Sequence, residues 1–235
     1  RQWKGSAWLA ANGFGTAMPL ALATGQNEHG DCECLCIEAL AGWTVLDYLA
    51  SLGPDAERGL DTDAEQHADE TVDDNLLRGI AAAAGDGIGR MVAKKRFNRD
   101  HKPSNLVVVD EAEPRIAIID TVAIRPAGSD SRLDLVAMLK SLVLEPKGLG
   151  FEPPRWWLEA ACASALSALG LASDGAELAD AVEYAVEIHG NPRPEDVPIM
   201  RSSGRASEAA DDDPLDDLLD VPKDDQIGSG GASAR

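Results

Sequence analysis

The spacing of hydrophobic positions along the chain predicts helices interrupted by short strands. Apolar side chains recur at helical spacing in five segments, at residues 2–11, 72–93, 131–144, 155–169 and 176–188. Short apolar runs bounded by turn residues predict four strands, at residues 18–23, 32–38, 106–109 and 116–119. The turn residues at 27–31 and 111–114 make two hairpins of these four strands.

Helix boundaries can be predicted at two further places. The sequence Thr44-Val45-Leu46-Asp47 has a capping-box pattern, so a helix is expected to follow Thr44 and to end near Ser51, before Gly53-Pro54. Residues 146–154 begin and end with proline and are expected to form a loop.

Three glycines lie inside the predicted helix 72–93, in the sequence Gly85-Asp86-Gly87-Ile88-Gly89. This spacing superficially resembles a glycine-rich phosphate loop, but no strand precedes it, as such a loop requires. We therefore interpret the glycines as a site of helix packing or a local break in the helix.

The net charge of −20 is unevenly distributed. Residues 55–74 contain nine acidic residues and one arginine, and residues 203–235 contain nine acidic and three basic residues, so a solvated loop and an acidic tail are expected. Such a balance argues against nucleic acid as the main partner. The exception is a basic cluster of Lys94, Lys95, Arg96, Arg99 and Lys102, which suits either nucleotide phosphates and an anionic substrate or a solvated helix end.

Cysteine usage and hydropathy indicate a reduced, cytoplasmic protein. Four cysteines in 235 residues do not make a disulfide framework, and Cys32-x-Cys34-x-Cys36 places three thiols on one face of a strand. A metal site is the alternative, although zinc sites usually pair C-x-x-C units. No apolar run is long enough to span a bilayer, and no signal-peptide pattern opens the chain.

The candidate catalytic residues lie around two predicted strands. The strand 106–109 is preceded by Arg99-Asp100-His101-Lys102-Pro103-Ser104-Asn105, and the next strand, 116–119, is followed by Asp120. An Asp, an Asn five residues later and an Asp closing the next strand supply one base and two metal-binding oxygens. The protein-kinase catalytic loop has the same Asp-to-Asn spacing, in H-R-D-x-x-x-x-N, and a metal-binding Asp downstream. A polar turn between strands would explain each residue alone, but not the whole pattern.

From these residues the chain resembles the lipopolysaccharide kinase family, which includes Kdo kinases and inner-core heptose kinases and has a protein-kinase-like fold. The resemblance covers residues 1–170 and is most specific in the catalytic segment. It is carried by five stretches: WKGSAWLAANGFGTAMPLAL (3–22), CLCIEALAGWTVLDYL (34–49), RDHKPSNLVVV (99–109), IAIIDTVAIRP (116–126) and RLDLVAMLKSL (132–142).

The resemblance implies roles for individual residues. Asp100 would be the base that accepts a proton from the substrate hydroxyl, and Asn105 and Asp120 would hold Mg²⁺. Lys102 would lie near the transferred phosphate and offset its developing charge. Asp134 would steady the catalytic loop. Glu38, Ala39 and Leu40 would form a hinge whose backbone meets the adenine of ATP.

The same resemblance implies an α+β, protein-kinase-like fold with three segments. These are a partial N-terminal lobe at residues 1–40, a mainly helical C-terminal lobe at 41–190, and a disordered acidic tail at 191–235. The expected activity is Mg²⁺- and ATP-dependent phosphoryl transfer to a saccharide or lipid-linked sugar, in the cytoplasm or peripherally at the inner membrane surface.

Three departures from the family pattern keep other functions open. Asn98 replaces the usual His, Thr121-Val122 follows Asp120 in place of Phe-Gly, and the glycine-rich loop and strand Lys expected before the first helix are absent from this sequence. A pseudokinase or binding module is the main alternative. A protein Ser/Thr kinase-like enzyme and a small-molecule phosphotransferase are the others.

Overall fold

The computed structural model describes residues 2–28, 30–52, 74–171 and 175–189. These residues form α-helices, one short 3-10 helix and small sheets, so the predicted α+β class is confirmed. The elements are α1 (Gln2–Ala11), β1 (Gly15–Thr16), β2 (Pro19–Asn27), β3 (Gly30–Ile37), α2 (Val45–Ala50), α3 (Asp74–Ala93), β4 (Arg96–Asn98), the 3-10 helix Pro103–Asn105, β5 (Leu106–Asp110), β6 (Arg115–Ile118), β7 (Ile124–Pro126), α4 (Ser131–Gly148), α5 (Arg155–Ala168) and α6 (Ala176–Glu187).

The chain divides into two compact units, residues 1–202 and residues 203–235. The first unit contains every described element, and the second lies outside the described residues, as do the predicted tail 191–235 and nearly all of the acidic stretch 55–74. In the described part of the chain, no helix is both long enough and apolar enough to cross a bilayer.

Two strand pairs are nested in the middle of the chain. β4 pairs with β7 in antiparallel register, and the β5–β6 hairpin lies between them in sequence. β1 adds to the free edge of β6 in parallel, which gives the sheet order β1-β6-β5. The loop from β4 to β5 and the loop from β6 to β7 both connect one strand pair to the other. The first loop carries Asp100, Lys102 and Asn105, and the second carries Asp120, the residues predicted to bind metal or take part in catalysis.

The helices α3 to α6 bury most of the apolar core. Their inward faces carry fully buried large side chains: Leu77, Ile80, Ile88, Met91, Leu135, Met138, Leu139, Leu142 and Trp157. A helical stripe of this kind stabilises the fold in proportion to the apolar area removed from water.

Most predicted boundaries agree with the structure to within two residues. The capping box is confirmed, because the Thr44 side chain accepts from the Asp47 N–H and the Asp47 carboxylate accepts from the Thr44 N–H. The loop predicted at 146–154 is wrong in its first part, since α4 continues through Pro146 to Gly148. The Pro146 ring is buried in the last turn of α4, so apolar packing offsets part of the cost of its missing N–H.

The three cysteines of β3 lie on one strand face, as predicted. Cys32, Cys34 and Cys36 pair in register with Gly25, Ala23 and Ala21 of β2, and all three thiols are free and exposed. Within the described ranges, no group of three His, Cys, Asp or Glu side chains is placed to hold a metal ion. The metal alternative for these cysteines therefore gains no support.

The glycines of α3 are explained by helix packing. A Cβ atom on Gly85 would lie 1.9 Å from the Ala161 carbonyl oxygen, and one on Gly89 would lie 2.3 Å from the Ala165 carbonyl oxygen, both in α5. A Cβ on Gly87, on another face of α3, would meet nothing within 4 Å. Gly85 and Gly89 thus allow α3 and α5 to touch through their backbones.

This packing predicts opposite effects for the same substitution at three neighbouring glycines. Gly85→Ala and Gly89→Ala should each lower the free energy of unfolding by about 1–3 kcal/mol, because the added methyl forces the helices apart. Gly87→Ala should raise it by about 0.5–1 kcal/mol, because alanine favours the helix and meets no neighbour. Urea denaturation of the three variants checks this, and a change of the same sign in all three would contradict the packing.

Candidate active site

The nested strand pairs bring Asn105 and Asp120, two of the predicted site residues, to one end of the β5–β6 hairpin. Leu106 of β5 pairs with Ile118 of β6, and the Ile119 N–H donates to the Asn105 carbonyl oxygen at 3.0 Å. Asn105, just before β5, and Asp120, just after β6, therefore lie at the same end of the hairpin. Both side chains are half-buried.

Asn105 also holds the segment that carries Asp100. Its Nδ2 donates to the Asp100 carbonyl oxygen at 3.0 Å, and the Asp100 N–H donates to the Asn98 Oδ1 at 3.1 Å. The loop is thereby fixed at both sides of Asp100. The Asp100 carboxylate is half-buried and accepts no hydrogen bond from the described residues. The backbone of Asp100, the base predicted from the sequence, is thus held in place, while both of its carboxylate oxygens remain available to accept hydrogen bonds.

Helix α1 packs directly on the segment that carries Asp120. Gln2 Nε2 donates to the Ile119 carbonyl oxygen at 3.0 Å, and the Thr121 hydroxyl donates to the Gln2 carbonyl oxygen at 2.8 Å. The Ser6 and Thr121 hydroxyls lie 3.2 Å apart in a buried contact. A Cβ on Gly5 would lie 2.3 Å from the Thr121 carbonyl oxygen, so only glycine permits this approach. Contacts from both sides of Asp120 therefore fix its backbone.

Glu145 of α4 anchors the other end of the loop that carries Asp100, at Ser104. Its carboxylate accepts from the Ser104 N–H at 2.8 Å and from the Ser104 hydroxyl at 2.6 Å. The sequence analysis missed this residue. No local pattern reveals it, because Glu145 lies 41 residues after Ser104 and on a helix that was predicted to have ended.

Lys102 is placed beside the same carboxylate. Its Nζ lies 3.7 Å from Glu145 Oε1, and 41% of its side chain is exposed. An ion pair this exposed contributes about 1 kcal/mol or less. Lys102 can therefore exchange Glu145 for a more strongly charged partner, such as a phosphate, at little cost.

The remaining predicted residues take less central positions. The Asp134 carboxylate accepts from the Gly128 N–H at 2.7 Å, so it holds the segment between β7 and α4. The expected bond to the catalytic loop is not among its hydrogen bonds with the described residues. In the basic cluster, Lys95 Nζ donates to the Ser131 hydroxyl, and the Arg96 guanidinium lies 5.3 Å from the centre of the Trp8 ring.

The predicted hinge, Glu38 to Leu40, joins β3 to a segment that lies against β5. The Glu38 N–H donates to the Met18 carbonyl oxygen at 2.8 Å, and the Val108 N–H donates to the Trp43 carbonyl oxygen at 2.9 Å. Gly42 is required here, because its φ is +137° and a Cβ would lie 2.0 Å from the Val108 carbonyl oxygen. The backbone groups of Ala39 and Leu40 make no hydrogen bond with the described residues.

His101 points away from the loop's exposed side. Only 1% of the residue is exposed, and neither ring nitrogen has a hydrogen-bond partner among the described residues. Burial lowers the pKa of His101 from 6.5 to about 4, so the imidazole is neutral at physiological pH. The residue next to the predicted base is therefore a buried neutral group.

Burial of His101 predicts that stability falls in mild acid. Below pH 6.5 the unfolded chain binds a proton on this imidazole, whereas the folded protein does so only near pH 4. The free energy of unfolding should therefore drop by roughly 2 kcal/mol from this group between pH 7.5 and pH 5.0. Denaturation at both pH values should show a pH dependence about 2 kcal/mol smaller for His101→Leu than for the wild type. Equal pH dependence in the two proteins would contradict the burial of a neutral imidazole.

Comparison with known proteins adds no assignment to this geometry. No protein-family model matches the chain, and no curated protein matches it at a significant level.

Proposed function

We propose that the protein is an ATP-dependent phosphotransferase with a protein-kinase-like fold that phosphorylates a hydroxyl of a saccharide or lipid-linked sugar. The observation that carries this proposal is the linkage through Asn105, which ties the Asp100 segment to the end of the hairpin that precedes Asp120. Phosphoryl transfer requires positioning and charge stabilisation more than covalent chemistry, and a base with two oxygen ligands suits it.

The donor set fits a magnesium ion. Asn105 uses its Nδ2 to bind the Asp100 carbonyl, which leaves its amide oxygen available, and one Asp120 oxygen accepts from the Val122 N–H, which leaves the other. Mg²⁺ typically binds one or two protein oxygens together with water and substrate phosphates. Asn105 and Asp120 would hold the ion, which supplies neutralisation of the phosphate charge when it is bound.

The other residues have definable tasks in such a reaction. Asp100 accepts the proton of the acceptor hydroxyl, with its backbone held by Asn98 and Asn105. Lys102 leaves Glu145 and pairs with the transferred phosphoryl group. The backbone of Ala39 and Leu40, which pairs with none of the described residues, offers a donor and an acceptor for the adenine edge. The saccharide acceptor rests on the resemblance of residues 99–109 and 116–126 to lipopolysaccharide kinases.

A pseudokinase or binding module is the second candidate. It is favoured by the absence of any acidic residue in α1 that could pair with a strand lysine. Asn98 also stands where kinases have His, and its buried Nδ2 has no partner among the described residues. If the protein binds nucleotide and labels proteins but no glycan, the protein Ser/Thr kinase alternative is correct.

Nucleotide binding is tested by thermal unfolding with Mg-ATP. A ligand at one hundred times its dissociation constant adds about 2.7 kcal/mol, which should raise the Tm by roughly 5–10 °C in a chain of this size. Asp120→Asn should remove most of this shift, because a carboxylate ligand to the ion is lost. The control Asp110→Asn makes the same chemical change at the other end of β5, where the carboxylate pairs with Arg115, and should keep the full shift. No shift in the wild type, or loss of the shift in Asp110→Asn alone, would argue against the metal site.

Catalysis is tested separately by transfer of labelled phosphate from ATP to sugar acceptors. Asp100→Asn should lower the rate by about 10²–10⁴-fold, because the base is lost, while the Mg-ATP shift in Tm stays close to the wild-type value. Transfer by Asp100→Asn at the wild-type rate would show that Asp100 is not the base. Stabilisation without any transfer, to glycan or protein, would favour the binding module.

A further inference from the structure

Three segments that contact one another carry basic residues and no acidic ones. They are residues 2–12, 94–99 and 121–128, which contain no Asp or Glu, although the whole chain has 41 acidic residues against 21 Lys and Arg. Their cations form what we call the basic face, which consists of Lys4, Lys94, Lys95, Arg96, Arg99 and Arg125.

The fold brings the members of the basic face together. Antiparallel pairing of β4 with β7 places Arg96 and Arg125 on adjacent strands. The Arg96 guanidinium also lies 5.3 Å from the centre of the Trp8 ring of α1. Lys4 precedes Trp8 by one helical turn and so shares its side of α1. Directly before and after β4 in the chain come Lys94, Lys95 and Arg99.

The charge of the basic face is not cancelled locally. All of its members except Arg96 are exposed, and these exposed cations make no salt bridge with the described residues. Lys95 and Arg125 donate to neutral acceptors, the Ser131 hydroxyl at 3.2 Å and a backbone carbonyl oxygen at 3.0 Å. Asp130, which follows β7, is already held by Arg132 through bonds of 3.0 and 2.8 Å. The positive potential therefore remains available to an anionic partner.

An exposed tryptophan adjoins the basic face and distinguishes between anionic partners. Trp3 is 42% exposed and precedes Lys4 on the outer side of α1, whose inner side carries the buried Gly5, Ser6 and Leu9. Tryptophan beside lysine is typical of a helix that rests in the headgroup region of a bilayer. A nucleic acid presents fixed phosphates along its whole length to a chain of net charge −20, whereas anionic lipids are mobile and gather beneath a local cluster of cations.

We infer that the basic face and Trp3 dock the protein on a membrane surface that contains anionic lipid headgroups. The headgroup phosphates pair with the Lys and Arg side chains, and the Trp3 indole enters the headgroup region. This binding does not require phosphoryl transfer, so it is tested independently of the proposed function. Because Arg99 directly precedes Asp100, docking would bring the proposed base next to the hydroxyl of a lipid-linked sugar.

Co-sedimentation of the full chain with vesicles tests the charges. Vesicles of phosphatidylcholine mixed with phosphatidylglycerol should bind the protein, with an affinity that falls steeply as salt is added, and pure phosphatidylcholine should not. Lys94→Gln combined with Lys95→Gln should weaken binding by roughly 30-fold. The control, Arg115→Gln combined with Lys147→Gln, removes the same charge from exposed residues of β6 and α4 and should bind as the wild type does.

A second matched pair of variants tests the apolar contact. Trp3→Gln should weaken vesicle binding several-fold, whereas Trp43→Gln, which removes an indole that is 56% exposed in another segment, should not. The inference is overturned if the wild type binds both kinds of vesicle equally or neither, if the lysine variant binds as its control does, or if Trp3→Gln binds as the wild type does. Tighter binding to a mixed-sequence RNA than to the anionic vesicles, at equal phosphate concentration and salt, would overturn it in favour of a nucleic acid.

Discussion

The structure of the loop at residues 99–105 depends on Asn105, which makes two hydrogen bonds in opposite directions. Its side chain binds the Asp100 carbonyl, and its own carbonyl accepts from Ile119. Each bond contributes about 1 kcal/mol to stability, but together they fix the separation of three segments whose chemistry depends on position. The bond to the hairpin uses a backbone carbonyl, which any residue has, whereas the bond to Asp100 requires a side-chain donor such as the Asn105 amide.

Residues distant in sequence support this linkage through Asn105. Helix α1 contacts the backbone on both sides of Asp120, α4 supplies Glu145 to the loop, and the Gly42 segment lies along β5. Gly5 and Gly42 stand where backbones approach too closely for any Cβ. The positions of the proposed ligands are therefore fixed by contacts between residues distant in sequence. Such contacts order the proposed site in advance, which would reduce the ordering cost of binding a ligand there.

The sequence predicted the elements that have a strong local signal. The helical periods, the Thr44–Asp47 capping box and the two hairpins depend on neighbouring residues, and the structure confirms them. The two- and three-residue strands β1, β4 and β7 were not predicted, because they contain no apolar run and form only through pairing with distant strands. Pro146 was taken as a helix end because proline usually interrupts a helix, but α4 continues two residues beyond it.

In the candidate site, too, features with a local sequence signal could be predicted, and features that depend on distant contacts could not. The spacing from Asp100 to Asn105 and the position of Asp120 after a strand could be taken directly from the sequence. The anchor Glu145 and the burial of His101 could not, because both depend on which face of the loop meets the helices. Lys102 was predicted by its place in the motif, but its partner Glu145 was not.

The central claim is that Asn105 and Asp120 share one divalent cation with a nucleotide. Paramagnetic broadening by Mn²⁺, which accepts the same octahedral oxygen ligands as Mg²⁺, tests this claim most directly. With ATP present, Mn²⁺ should broaden the NMR signals of the Asn105 side-chain amide and of residues 119–121 first, and those of residues 111–113 at the far end of the hairpin much later. Broadening that begins at residues 111–113, or that spares Asn105 and Asp120, would contradict the account.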